Sequence, residues 1–398
     1  MGDLVITLGS DVGNSAIKIR HENGDSDVLP TMLDKVAVLS TYAESKDPMN
    51  QLDLEILQSK GAPTGRAFYG HLASETGNGK PLPLRAEKAK TPEVLMALVM
   101  SMAVAACRRL DAMKKADRTA LLERARAEKR PLEITINLGT GLPLAEFKND
   151  AVKKEFRRLI RGAHTVQFVT TPVWKDYGEI KLVVESLEVC AEGMAVLYDL
   201  VFDATGNLID DRMAEGNVLI NDIGAGTHDM PYYEGMDLRN ALSKPYESKV
   251  NENMDAITEQ VNHTYSRNLT RYDVERFIFS TRHPHAIPNG ARDPISIRAY
   301  TEGRFRSLAA LYAARTKQAF EDTKGLLTHV IMAGGGSAVA REFYEQELLK
   351  LNDEWTASGL PFKVVWLANA QMANASGYFK MVNEKVQAKA QKVAAAGD

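Results

Sequence analysis

The stretch Asp11-Val-Gly-Asn-Ser-Ala-Ile-Lys18 contains a glycine turn that follows one apolar segment, Leu4–Leu8, and leads into another. The pattern of an apolar strand followed by a glycine turn recurs in Asp222-Ile-Gly-Ala-Gly-Thr-His-Asp229 and in Met332-Ala-Gly-Gly-Gly-Ser-Ala338. Each turn alone is ordinary, because strands often end in Asp-x-Gly or in a run of glycines. Three such turns in this order are hard to obtain by chance, and they decide how the rest of the chain is interpreted.

Turns of this kind are suited to binding phosphate. Glycine lets the backbone approach a ligand closely, and consecutive backbone N–H groups in a tight turn form a concavity for anions. Asp11 and Asp222 each close the strand before a turn, and Mg²⁺ prefers oxygen ligands while it retains several waters. Lys18 would neutralise phosphate charge. The sequence therefore predicts a site for a magnesium-bound nucleotide.

Two other nucleotide-binding classes lack their motifs. The sequence contains no Gly-x-x-x-x-Gly-Lys-Ser/Thr, which excludes a P-loop ATPase. It also contains no Gly-x-Gly-x-x-Gly that opens a helix after a strand, so a Rossmann site has no support.

The composition indicates a globular protein with no basic field for direct nucleic-acid binding. The 398 residues are 44% hydrophobic and 25% charged, with a net charge of −3. The longest mostly apolar run, Val94–Cys107, is shorter than the roughly 20 residues of a membrane span, so we expect a buried helix there and no membrane association. Cys107 and Cys190 are expected to be reduced. Because the N-terminus does not read as a signal peptide, we expect a cytoplasmic protein.

Predicted strands and helices alternate along the chain, which favours the α/β class. Residues 22–92 are rich in glycine, proline and polar residues, which indicates a small, loop-rich insertion at about 30–90. A helix is expected to begin at Pro92 and to continue with a basic surface through residues 108–130. Further helices are predicted at about 150–161, 252–268, 271–278 and 298–325.

With these residues the chain resembles the actin-like ATPase superfamily, in which the three turns are the first phosphate loop, the second phosphate loop and the adenosine loop. Within it, the chain is most similar to the bacterial plasmid-segregation actins of the ParM/StbA type. The resemblance spans residues 4–383. Four local stretches carry the narrower likeness: Asp11-Val-Gly-Asn-Ser15, Gly65-Arg-Ala-Phe-Tyr-Gly-His-Leu-Ala73, Gly139-Thr-Gly-Leu-Pro-Leu144 and Asn369-Ala-Gln-Met-Ala-Asn-Ala-Ser-Gly-Tyr-Phe379.

The resemblance implies a set of site residues. Asp11 and Asp222 would hold Mg²⁺ through water, and Glu192 would polarise the water that attacks the γ-phosphate. Contacts to the β-phosphate side are implied for Gly13, Asn14, Ser15 and Lys18. Contacts to the γ-phosphate are implied for Gly224, Gly226 and Thr227, and contacts to the adenosine for Gly334, Gly335, Gly336 and Ser337.

The assignment of Glu192 has an alternative that fits the sequence almost as well. In Glu188-Val-Cys-Ala-Glu-Gly-Met194 this glutamate precedes a predicted helix, where it could act as an N-cap carboxylate. The family often has proline in place of Ala191, and His228 stands where the family usually has threonine or leucine. The connection 203–216 is also longer than the family's.

The resemblance further implies an actin-like fold of two RNase H-like lobes around a central nucleotide cleft. Lobe I would comprise residues 1–212, with the insertion and with a C-terminal helix at 368–392 that packs back on it, and lobe II residues 213–367. The implied activity is Mg²⁺-dependent hydrolysis of ATP, with GTP as the alternative nucleotide, in head-to-tail filaments that segregate plasmid DNA through a DNA-binding adaptor protein. A filament with another positioning role and a monomeric kinase or phosphatase of the same fold are the alternatives.

Overall fold

The computed structural model describes residues 3–35, 45–76, 78–82 and 87–397. Residues 36–44, 77 and 83–86, which belong to the expected insertion, lie outside the described residues. The chain forms two compact units: unit one is Met1–Asp211 with Met372–Asp398, and unit two is Arg212–Gln371.

Unit one is built on a mixed sheet with three parallel strands at its centre. The described strands of this unit are β1 (Leu4–Val12), β2 (Ala16–His21), β3 (Ser26–Pro30), β4 (Met32–Asp34), β5 (Leu52–Gln58), β6 (Gly65–Tyr69), β7 (Lys80–Pro81), β8 (Leu132–Leu142), β9 (Gly162–Phe168) and β10 (Ile180–Ala191). They lie in the order β3-β2-β1-β8-β10-β9-β5-β6-β4-β7, and β8 runs parallel to both β1 and β10. Seven consecutive residues of β1 are buried, as expected for a strand covered on both faces.

The region expected to be a loop-rich insertion contributes strands to this sheet. β5 pairs with β9 and β6 pairs with β5, both antiparallel. Leu52, Leu54 and Phe68 are buried, so these strands also supply core side chains.

Six helices accompany the sheet of unit one in the described residues before its C-terminal segment: α1 (Gly70–Glu75), α2 (Pro92–Ala112), α3 (Lys115–Ala127), α4 (Leu144–Phe147), α5 (Asp150–Ile160) and α6 (Met194–Val201). The predicted start at Pro92 is confirmed, and Val94–Cys107 is buried within α2. The prediction that this helix continues to residue 130 is wrong, because the backbone is extended at Met113 and a new helix begins at Lys115. α3 buries only two residues, and the break lets its charged surface face solvent while α2 stays in the core.

Unit two has its own sheet around β11 (Asn217–Ile223). β18 (His329–Ala333) and β19 (Lys363–Trp366) continue it in parallel on one edge of β11, and antiparallel strands pair with the other edge. Its remaining described strands are β12 (Thr227–Met230), β13 (Tyr232–Glu234), β14 (Asp237–Leu238) and β15 (Lys244–Glu247), with a separate hairpin of β16 (Ala286–Asn289) and β17 (Arg292–Ser296). The helices here are α7 (Asp211–Glu215), α8 (Val250–Tyr265), α9 (Arg271–Ile278), α10 (Arg298–Asp322), α11 (Gly335–Val339) and α12 (Arg341–Ala357).

The C-terminal helix α13 (Ala373–Gly397) returns to unit one and lies unusually close to its sheet. Glycines permit this approach: a Cβ at Gly9 of β1 would lie 2.0 Å from the carbonyl oxygen of Ala375, and one at Gly139 of β8 would lie 2.0 Å from that of Tyr378. In α13 itself, a Cβ at Gly377 would lie 1.9 Å from the Ala195 carbonyl of α6. No helix in the described part of the chain is both long and apolar enough to cross a bilayer.

Candidate functional site

The first glycine turn joins β1 to β2 and places Asp11 directly opposite Lys18 in the strand register. The Lys18 Nζ lies 2.8 Å from Asp11 Oδ2. Gly13 makes room for this contact, since a Cβ there would lie 2.9 Å from the Lys18 Nζ. The buried Thr31 fixes the turn: its hydroxyl donates to the Gly13 carbonyl at 2.7 Å, and its N–H donates to the Ser15 carbonyl at 3.0 Å.

Glu192 follows β10 and lies in the same cluster, held by a lysine that the sequence analysis did not select. The Lys88 Nζ is 2.7 Å from Glu192 Oε1 and 3.9 Å from Asp11 Oδ1. We refer to Asp11, Lys18, Lys88 and Glu192 as the unit-one cluster. Its formal charges sum to zero, with two carboxylates and two ammonium groups.

The alternative role of Glu192 as a helix N-cap is wrong. Helix α6 begins at Met194 and its N-cap is Gly193, with φ 82° and no side-chain capping bond. The Gly193 N–H is instead bound by the side-chain oxygen of Asn374, at 3.1 Å. The carboxylate of Glu192 points to Lys88 rather than to the helix.

Burial and charge act against one another in this cluster, and charge dominates. Burial by itself would raise the pKa of Asp11, but the ammonium groups of Lys18 and Lys88 hold it below its usual value. Burial would lower the pKa of Lys88, but Glu192 and Asp11 raise it above the ordinary lysine value. Asp11 is therefore a carboxylate and Lys88 an ammonium ion at neutral pH.

Lys88 belongs to a short helical turn that is fixed by a third carboxylate. Glu146 Oε1 accepts a hydrogen bond from the Lys88 N–H at 2.8 Å, and its Oε2 accepts one from the Ala89 N–H at 2.9 Å. In the sequence, Lys88 is one of two lysines in a polar segment before α2, and no spacing distinguishes it from Lys90. Only the burial of Lys88 distinguishes it from Lys90.

The second glycine turn lies in unit two, between β11 and β12. Asp222 is the penultimate residue of β11 and is buried. The Gly224 N–H donates to the Thr227 carbonyl at 2.8 Å and closes the turn. The Gly226 carbonyl is held by the Ser248 N–H at 3.0 Å, just before α8.

The third turn packs against the second. β18 lies parallel to β11, with Ala333 beside Asp222, and Gly334 follows with φ 76° and ψ 152°. A Cβ at Gly334 would lie 2.7 Å from Asp222 Oδ1, and one at Gly336 would lie 2.9 Å from the Gly224 carbonyl oxygen. Ser337 lies within α11, where its hydroxyl donates to the Gly334 carbonyl at 2.8 Å.

The predicted site residues are thus assembled as two groups. Unit one brings together Asp11, Gly13, Asn14, Ser15, Lys18 and Glu192, and unit two brings together Asp222, Gly224, Gly226, Thr227, Gly334, Gly335, Gly336 and Ser337. His228 is buried away from solvent, with its ring nitrogens 3.0 Å from Asn221 Oδ1 and 3.1 Å from Arg315 Nη1. Burial and the neighbouring guanidinium lower its pKa to about 3, so the ring is neutral and structural.

The donor chemistry is compatible with a Mg²⁺ ion bound together with phosphate. Each unit places one buried carboxylate, Asp11 or Asp222, at a strand end beside a glycine turn. Within the described ranges, no three His, Cys, Asp or Glu side chains are grouped to hold a metal by themselves. Mg²⁺ commonly takes one or two carboxylates and completes its shell with waters and phosphate oxygens.

Comparisons with known proteins agree with this architecture. Residues 9–194 match the family model described as the N-terminal domain of actin-like proteins. No curated protein sequence matches the chain. Among solved structures, Bacillus thuringiensis ParM with AMPPNP is 20% identical, with 96% of this chain and 99% of that chain covered and a TM-score of 0.64.

Two further structures are similar over nearly their whole length. The actin-like protein Alp7A is 15% identical, with 98% of this chain and 100% of that chain covered and a TM-score of 0.74. Ta0583, an archaeal actin homologue, is 16% identical, with 96% and 99% covered and a TM-score of 0.64. Identities this low establish the fold alone. The predicted resemblance is confirmed: residues 9–194 match the model of the actin-like protein family, and the chain has the actin-like fold.

Proposed function

We propose that this protein is an ATPase that binds Mg²⁺-bound ATP through its glycine turns. The observation that carries the proposal is the repeated arrangement of a buried carboxylate at a strand end beside a glycine turn, once in each unit. The similar ParM structures with ATP, AMPPNP and ADP support the choice of nucleotide. GTP is the alternative nucleotide, and a competition assay between ATP and GTP distinguishes the two.

The residues divide the work according to their positions. Asp11 and Asp222 would hold Mg²⁺ through water, and the ion would neutralise phosphate charge. Lys18, with the turn of Gly13, Asn14 and Ser15, would contact the β-phosphate side. The turn of Gly224, Gly226 and Thr227 would contact the γ-phosphate, and Gly334, Gly335, Gly336 and Ser337 would lie along the adenosine.

Hydrolysis would then be the in-line attack of a water on the γ-phosphorus, in which a new O–P bond forms while the bond to the ADP oxygen breaks. Glu192 would accept a hydrogen bond from that water and orient it. Its carboxylate is held beside Asp11 by Lys88, which supports this role. Positioning and charge stabilisation supply most of the catalysis in phosphoryl transfer.

We further propose that the protein assembles head to tail into filaments in a nucleotide-dependent way, as the resemblance to the plasmid-segregation actins implies. Heterologous contacts that do not close generate open filaments. Plasmid segregation through a DNA-binding adaptor protein is the cellular role that we favour. Another positioning role, or a monomeric kinase or phosphatase, would replace it if the protein did not assemble.

Light scattering and phosphate release on one preparation test this proposal. Wild type should scatter more light on addition of Mg-ATP above a critical concentration and should release phosphate. Glu192→Ala should assemble normally but hydrolyse about 10²–10⁴-fold more slowly, because a water-orienting carboxylate acts on the chemical step. Its filaments should therefore persist after free ATP is removed.

The matched control is Glu185→Ala, which removes a glutamate of β10, the strand that leads to Glu192. The partner of Glu185 is Lys389 at the surface. This variant should hydrolyse and disassemble like wild type. Rapid turnover by Glu192→Ala would refute the catalytic assignment. A wild-type protein that stays monomeric at tens of micromolar with a non-hydrolysable ATP analogue would favour the kinase alternative.

A further inference from the structure

Lys88 is a buried cation between two carboxylates that approach the same point from different strands. Among the lysines that the structure describes, it alone is buried, with 5% of its surface exposed. Its Nζ lies 2.7 Å from Glu192 Oε1, at the end of β10, and 3.9 Å from Asp11 Oδ1, near the end of β1. Lys18 contacts Asp11 from the opposite strand, through Oδ2.

The backbone beneath Lys88 is as firmly held as its side chain. The two oxygens of Glu146 bind the N–H groups of Lys88 and Ala89, at 2.8 and 2.9 Å. The Thr91 N–H donates to the Lys88 carbonyl at 3.3 Å, which closes the turn before α2. Backbone hydrogen bonds therefore hold the turn that carries the Lys88 ammonium.

We propose that Lys88 is a positioning residue for hydrolysis: its ammonium fixes the Glu192 carboxylate in orientation and in distance from Asp11. Lys88 binds Oε1 of Glu192, which leaves Oε2 to accept a hydrogen bond from the attacking water. This inference rests on the proposed ATPase function. It adds that the water-orienting carboxylate works only when a second residue, 104 positions away in the sequence, holds it.

A purely structural ion pair would have the same geometry, but it predicts different kinetics. If Lys88 only offsets the burial of Glu192 and Asp11, its loss lowers the stability and leaves turnover per folded molecule unchanged. If it positions Glu192, its loss lowers kcat because the carboxylate samples orientations that do not face the water. The Michaelis constant for Mg-ATP should then change little, since Glu192 contributes to the chemical step rather than to binding.

The test compares Lys88→Met, which keeps the aliphatic stem and removes the charge, with Lys88→Arg, which retains the charge. Removing an outer partner of a site residue typically costs about 10–100-fold, and we expect that loss in kcat for Lys88→Met, with KM for Mg-ATP within about threefold of wild type. Lys88→Arg should recover part of the loss. Lys90→Met is the matched control, because Lys90 lies in the same segment with its side chain 64% exposed and paired with Glu87. It should have wild-type kinetics.

A double variant keeps the test valid if Lys88→Met alone does not fold. Lys88→Met combined with Glu192→Gln removes both charges, so no unpaired charge is left between these two side chains. Because Lys88 acts through Glu192, the double variant should have the same kcat as Glu192→Gln to within about twofold. A further tenfold loss in the double variant, or wild-type kcat in folded Lys88→Met, would overturn the positioning role while leaving the ATPase proposal intact. A wild-type protein without any nucleotide hydrolysis would overturn both.

Discussion

Replacement of Gly334 by alanine tests whether the third turn is shaped to fit against Asp222. Gly334 has φ 76° and ψ 152°, a backbone region that is essentially restricted to glycine and costs other residues about 1–3 kcal/mol. The added Cβ would also lie 2.3 Å from the Ile223 carbonyl oxygen and 2.7 Å from Asp222 Oδ1. Such overpacking adds about 1–3 kcal/mol, so Gly334→Ala should lower the free energy of unfolding by roughly 2–6 kcal/mol.

The control for the backbone contribution is Gly359→Ala. Gly359 has a similar φ, +75°, but nothing lies within 4 Å of the position where its Cβ would be. This change should cost only the conformational penalty, about 1–2 kcal/mol. Gly334→Ala should therefore be the more destabilised variant, because the close approach between Gly334 and the end of β11 adds a steric contribution to its backbone penalty.

Chemical denaturation and calorimetry measure both variants, and nucleotide titration adds a functional readout. A loss near 4 kcal/mol corresponds to a decrease in Tm of about 8–16 °C for a domain of this size. At a temperature where both variants are folded, Gly334→Ala should also bind Mg-ATP more weakly, because the Cβ displaces the Asp222 carboxylate, and Gly359→Ala should not. A Gly334→Ala protein that is as stable as Gly359→Ala would refute the packing argument.

Three further changes test the second unit. Gly303→Ala should raise the free energy of unfolding by about 0.5–1 kcal/mol in urea denaturation, because Gly303 lies inside α10 with nothing within 4 Å of its added Cβ. Asp222→Ala should abolish phosphate release and leave thermal unfolding largely intact; unchanged release would contradict its assignment to the metal. His228 has a pKa of about 3 in the folded protein against 6.5 for an ordinary histidine, so only the unfolded chain takes up a proton as the pH falls below 6.5, and stability decreases. The stability of His228→Gln should therefore decrease less steeply than that of wild type, by about 1 kcal/mol per pH unit between pH 6.5 and about pH 5.

The sequence by itself determined the features whose signals are local. The glycine turns follow apolar strands directly, and this adjacency was enough to place Asp11 and Asp222 at the ends of β1 and β11. The start of α2 at Pro92 could also be predicted, because proline is favoured at the first helical position and a long apolar run follows it. The break between α2 and α3 at Met113 could not be predicted, since both segments have helical composition and only their different burial separates them.

Only the tertiary structure decided which distant residues complete the site. Lys88 and Lys90 are alike in the sequence, but the Glu146 carboxylate holds the Lys88 backbone so that one ammonium is buried against Glu192 and the other is exposed. Likewise, the glycines of β1, β8 and α13 are needed for close backbone approach, and this need is visible only when the C-terminal helix is packed on the sheet of unit one. Ion pairs and close contacts of this kind depend on which chain segments meet in space, and no periodicity or spacing along the sequence encodes that meeting.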